Sequence, residues 1–269
     1  MQTKNNNSGL TVLQKPKKTI ILILLAVIIC IAISFIIVDW IRFFTGLDTL
    51  YSVIMKPVVT FLCAVIAWST GKNAIDNKDR KLLGLSFVFI FIVDTLMSVR
   101  DFIGWEQGFI VFIIGGIFSV VAHIVLIIRH GRGFPYLKSK GSEESSEKRS
   151  FISKIYILLI INLMILIVII PLIEPFQRVG HLEITIFYAV FLGISTWIAW
   201  ETVRNKLYPR KNALLIAISI SCWLGTEMVG AVFNIQIGRI SAFFYCFIWM
   251  FYAITVITLS VSGYRWKEE

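Results

Sequence analysis

Four strongly polar side chains, Lys56, Asp94, His123 and Glu227, stand inside long apolar runs of this 269-residue sequence. Two carboxylates in one low-dielectric pocket do not easily ionise together, so one stays protonated while the other is charged. That is the division a general acid and a general base require. Each embedded charge costs on the order of +2.5 to +3.5 kcal/mol on insertion scales, which makes each a functional candidate by default.

The elements that must position these groups are apolar segments: Thr19 to Val38, Tyr51 to Trp68, Leu82 to Val99, Phe109 to Ile128, Ile155 to Ile173, Ile184 to Trp200, Ala213 to Phe233 and Ile240 to Val261. Each has about 17 to 22 residues, enough at 1.5 Å per residue to cross about 30 Å of hydrocarbon. The runs are continuous, without period-two alternation, so helices are expected rather than strands. With 57% hydrophobic and 16% charged residues and a mean hydropathy of +0.82, the composition excludes a soluble globular domain. The fold class expected is an all-α polytopic integral membrane protein of eight transmembrane helices. The first run is too long for a signal-peptide core and no small-residue cleavage site follows it, so it is read as a retained helix.

A net charge of +10 raises nucleic acid as a partner, but the charge lies in the loops. With alternating sides, 21 of the 26 lysines and arginines fall on one side and four, Arg42, Arg100, Arg178 and Arg239, on the other. The positive-inside rule then puts both termini in the cytoplasm of a cell (plasma) membrane protein, and nucleic-acid binding is not expected. The chain reads as a polar cytoplasmic N-terminus over 1–18, a transmembrane domain over 19–264 and a tail over 265–269. A Gly-, Ser- and charge-rich linker over 131–153 separates two four-helix halves. Pro171 and Pro175 are expected to end the fifth helix, and Trp40, Trp68, Tyr208, Tyr264 and Trp266 to sit at interfaces.

This orientation fixes depth. Lys56 and Asp94 lie five residues from the outer ends of their segments and Glu227 six, all about 8 to 9 Å below the boundary. Tyr188 and Tyr245 fall at similar depth, whereas His123 lies about 21 Å down, a layer away from the carboxylates. One reading is a polar chamber in the outer half, lined by two carboxylates and an ammonium. The other is an ion pair of Lys56 with Asp94 or Glu227 that pins helices together. His123, with Gly116 and Ser119 on its face, reads first as a packed histidine bonded to a neighbour. Asn162 reads as interhelical glue, and Glu201 and Arg204 as solvated residues at a helix end.

Cys30, Cys63, Cys222 and Cys246 lie in apolar segments without paired spacing and read as packing residues. No phosphate loop, serine elbow or His/Cys cluster suited to a metal is found, so neither cofactor nor metal is expected.

At these residues the chain resembles the YhhN or lysoplasmalogenase-like transmembrane proteins. The resemblance runs over roughly Tyr51 to Val261 and is carried by Lys56-Pro57, by Asp94 in IVDTLM, by Ala122-His123, by Thr226-Glu227 and by Tyr252 in the last helix. The sequence departs from the family where Val93 replaces a glycine, Thr226 a serine, Glu227 an aspartate and Thr255 a glutamine, and where no tyrosine follows His123. The resemblance implies eight helices and hydrolysis of the vinyl-ether bond of a lysolipid partner drawn from the membrane, giving a fatty aldehyde and a glycerophospho head group. Asp94 and Glu227 would share the catalytic roles: protonating the alkene carbon, stabilising the oxocarbenium-like cation and activating water. Lys56 would orient one carboxylate or meet the lipid phosphate, with Tyr188, Tyr245 and His123 supporting. A transporter, or a lipid-binding protein without activity, is the alternative on the same residues.

Overall fold

The computed structural model describes residues 15–46, 50–103, 105–132, 144–178, 180, 182–233 and 239–266, and these are helical almost throughout. The helices are α1 (Lys15–Thr45), α2 (Leu50–Ser69), α3 (Asn77–Ile103), α4 (Trp105–His130), α5 (Glu144–Ile169), α6 (Ile173–Arg178), α7 (Leu182–Arg204), α8 (Arg210–Phe233) and α9 (Arg239–Val261). Among the described residues, seven helices are long and apolar enough to cross a membrane, which makes this a multi-pass membrane protein. In α2 the apolar stretch is the shorter Val53–Ser69. Of the segments expected to be polar N-terminus, linker and tail, 1–14, 133–143 and 267–269 lie outside the described residues, whereas α1 already runs from Lys15 and α5 from Glu144, so the end of the expected linker is helix.

Contacts close α1, α2, α3, α4, α7, α8 and α9 into a ring, each packed on the next and α9 back on α1, with α5 against α7 and α8. The outward faces are apolar: Ile23, Leu159, Leu163 and Ile167 are each more than half exposed. Many polar residues point inward, among them Thr60, Ser86, Ser195, Thr196 and Glu201. This inversion of the soluble pattern follows from a solvent as apolar as leucine, in which polar groups gain by facing one another.

Local breaks in the helices are compensated. Pro57 removes the N–H that would bond to the Val53 carbonyl, and the Ser98 hydroxyl of α3 donates to that carbonyl at 2.9 Å instead. Helix α5 stops at Ile169 and gives way to a tight turn over Ile170–Leu172 that contains Pro171. Asn162 donates to the Leu158 carbonyl of its own helix at 2.7 Å, so it does not act as the interhelical glue expected. Glu201, expected in solvent, is fully buried and held by Asn205 and Arg204; the turn after α7 folds back on it.

Asp76 caps α3, its Oδ1 accepting the Asp79 N–H at 2.7 Å, while Arg132 donates to both its oxygens at 3.0 and 3.2 Å. Partial burial alone would raise the Asp76 carboxyl, but the Asp79 N–H and the Arg132 guanidinium outweigh it and hold the group below the usual carboxylate range. A depressed carboxylate contributes stability that is complete above the unfolded value, about 4, and is lost as pH falls through the lower folded value. Acid titration of the unfolding midpoint should therefore show a loss below about pH 4 that Asp76→Asn reduces. An identical acid limb in the variant would exclude this role.

Candidate functional site

Asp94, Glu227, Tyr188 and Tyr245 line one cavity of about 260 Å³ inside the ring, walled by α3, α4, α7, α8 and α9 and reached by Ile165 and Ile169 of α5. Helical spacing puts the groups there. Tyr245, Trp249 and Tyr252 form one stripe of α9, Trp223 and Glu227 one stripe of α8, and Ile90, Asp94 and Met97 one stripe of α3. The lining is apolar apart from a few converging polar groups, the pattern of a small-molecule site.

The two carboxylates are held differently. Asp94 is buried, and its oxygens accept the Tyr252 hydroxyl, 2.6 Å from both, and the Thr60 hydroxyl on Oδ2. Hydroxyl donors thus reach both oxygens. Glu227 is half-buried, and its two hydrogen bonds, from the Tyr188 hydroxyl at 3.0 Å and Trp223 Nε1 at 3.2 Å, both fall on Oε1.

His123 is fully buried, with Nε2 3.2 Å from the Tyr188 hydroxyl and its ring on Trp223, centroids 4.4 Å apart. The expectation that it lies a layer from the carboxylates is corrected for Glu227: the single hydroxyl oxygen of Tyr188 touches both His123 Nε2 and Glu227 Oε1. With the phenol proton on Glu227, His123 Nε2–H is the donor to Tyr188, and His123, Tyr188 and Glu227 form a continuous hydrogen-bonded chain.

Lys56 is buried, but its hydrogen bond and ion pair go to neither Asp94 nor Glu227. Its ammonium donates to the Tyr245 hydroxyl at 2.5 Å, lies 3.9 Å from Asp39 Oδ2, and sits 3.7 Å from the Trp249 and 4.2 Å from the Tyr245 ring centroid. The alternative reading, an ion pair of Lys56 with Asp94 or Glu227, is corrected: the ion pair is with Asp39. The sequence reading missed Asp39 because it ended the first helix at Val38, whereas α1 continues to Thr45 and carries Asp39 into the bundle. Thr60 and Tyr252 were also unassigned as partners of Asp94. The signals for them were present: Thr60 is one turn from Lys56, and Tyr252 completes the aromatic stripe of α9.

Val93, Thr226 and Glu227 line the cavity, whereas Thr255 exchanges hydrogen bonds with Ser219 between α9 and α8. Among the described residues no group of His, Cys, Asp or Glu is arranged to hold a metal ion. Compared with family models, with curated proteins and with solved structures, the chain matches none.

Proposed function

We propose that this protein is a membrane-embedded hydrolase of the lysoplasmalogenase type, a divergent relative of the YhhN proteins, that cleaves the vinyl-ether bond of a lysolipid. The observation that carries the reading is that Asp94 and Glu227, from different helices, line the same narrow apolar cavity in unlike hydrogen-bond environments. A volume of about 260 Å³ suits the single chain of a lysolipid better than two chains.

The unlike environments divide the roles. Glu227, with both its hydrogen bonds on Oε1, protonates the alkene carbon, and the resulting carboxylate then takes a proton from the water that adds. Asp94, bonded by Tyr252 and Thr60, faces the oxocarbenium-like cation as its carboxylate in this reading. Tyr188 and His123 hold Glu227 and can relay its proton. In this reading α2, 20 residues and about 30 Å long, is an eighth crossing. Both chain ends then lie on the cytoplasmic side of the plasma membrane, a topology that the lysine and arginine distribution supports.

Purified protein given a lysoplasmalogen should release fatty aldehyde stoichiometrically with the glycerophospho head group; absence of aldehyde would reject the hydrolase. The hydrogen-bonded chain from His123 through Tyr188 to Glu227 favours a second reading, a proton-coupled transporter. Proteoliposome flux that follows a pH gradient, with no aldehyde formed, would select it.

A further inference from the structure

Proton transfer at Glu227 accounts for protonation of the alkene and addition of water, but the hemiacetal that results must still expel an alkoxide, a poor leaving group unless it is protonated. Among the hydroxyls of the cavity, that of Tyr245 is set against a buried cation. Tyr245 lines the cavity and accepts the Lys56 ammonium at 2.5 Å. A lysine ammonium has three N–H donors and no lone pair, so in this bond the phenol oxygen is the acceptor and its own proton is directed elsewhere. Lys56 is fixed from several sides, by the rings of Trp249 and Tyr245 and by Asp39, and Arg42 lies over the same tyrosine ring at 5.6 Å. A buried cation bonded to a phenol oxygen stabilises the phenolate that proton donation leaves behind.

We propose, building on the hydrolase reading, that Tyr245 is a catalytic acid for the leaving oxygen and that Lys56 is its positioning residue. The carbon–oxygen bond of the hemiacetal breaks with its electron pair on the glycerol oxygen, which takes the Tyr245 proton. The protonated aldehyde left behind returns its hydroxyl proton to the Tyr245 phenolate, so the enzyme ends unchanged and the products are a neutral aldehyde and a glycerol hydroxyl. Lys56 keeps its charge throughout and transfers no proton.

The test compares an alkyl vinyl-ether lysolipid with an aryl vinyl ether of the same chain, whose phenolate departs without protonation. Tyr245→Phe should lower kcat on the alkyl substrate about a hundredfold, as loss of a general acid does, and on the aryl substrate less than about threefold, well below the effect of such an acid. Lys56→Gln, which keeps a donor to the phenol oxygen but not the charge, should show the same selectivity, and Lys56→Arg should recover most of the alkyl rate. A purely structural role would depress both substrates alike in both variants, and that result, or no loss on either, would overturn the assignment while leaving the hydrolase standing. If the unaltered protein releases aldehyde from neither substrate, the hydrolase reading falls and this assignment with it.

Discussion

Asp94→Asn is expected to lower the rate of aldehyde release by at least about a hundredfold while leaving the protein folded. The substitution keeps size and shape. The asparagine carbonyl can accept the Tyr252 or the Thr60 hydroxyl, and the other hydroxyl can rotate to accept from the amide. What is lost is the negative charge facing the cation that forms when the vinyl ether is protonated, and in a site of low dielectric that charge supplies several kcal/mol. The expected sign of the stability change is opposite. Among the described residues Asp94 has no ion-pair partner within 4 Å, so its charge is a cost to the folded state that asparagine does not carry. The unfolding midpoint in detergent should therefore stay level or rise as activity falls, the exchange of stability for function common at active sites. An unchanged rate would remove Asp94 from the chemistry, and a collapsed midpoint would make it a structural group.

The apolar runs and the isolated polar residues within them could be read from sequence because the price of charge in hydrocarbon is visible one residue at a time. Partners could not, because they depend on where helices end and which faces meet. Asp39 illustrates the first: Trp40 and Phe43 continue an aromatic surface beside it, and their ring contacts with Phe243 and Phe247 of α9 prolong α1 beyond the run that hydropathy marks. Lys56 illustrates the second. Depth alone placed it level with two carboxylates, but rotation about α2 turns its ammonium towards α1 and α9, where Asp39, Tyr245 and Trp249 receive it. Glu201 shows the converse error. A charge at the end of an apolar run reads as solvated, yet Glu201 is fully buried, as is Arg129 at the end of α4, because the turns between helices fold over the end of the bundle.

Arg129 supplies the largest stability effect we expect. Its guanidinium makes a two-pronged ion pair with Asp79, Nε to Oδ1 at 2.9 Å and Nη2 to Oδ2 at 3.0 Å, both side chains fully buried. Nη1 reaches the Ser262 hydroxyl at 3.0 Å, and Tyr208 donates to the Arg129 carbonyl at 2.6 Å, its phenol kept protonated by burial and by Asp79. Asn212 donates to the Ser262 and Tyr264 carbonyls at 2.7 and 2.6 Å. Gly263 leaves room at this junction, where a Cβ would lie 2.7 Å from Leu83. One guanidinium therefore ties the start of α3, the end of α4 and the residues just after α9. Arg129→Met removes only one partner and strands the Asp79 carboxylate, a loss of about 3 to 5 kcal/mol. The double variant Asp79→Leu/Arg129→Met removes both charges and should recover most of that loss, since well-packed apolar replacements of buried ion pairs are often neutral or stabilising. Unfolding midpoints of the two single variants and the double in one detergent measure this directly. A double variant no more stable than the singles would mean that the hydrogen bonds from Arg129 Nη1 to Ser262 and from Tyr208 to Asp79, rather than the balance of charge, hold this end of the bundle together.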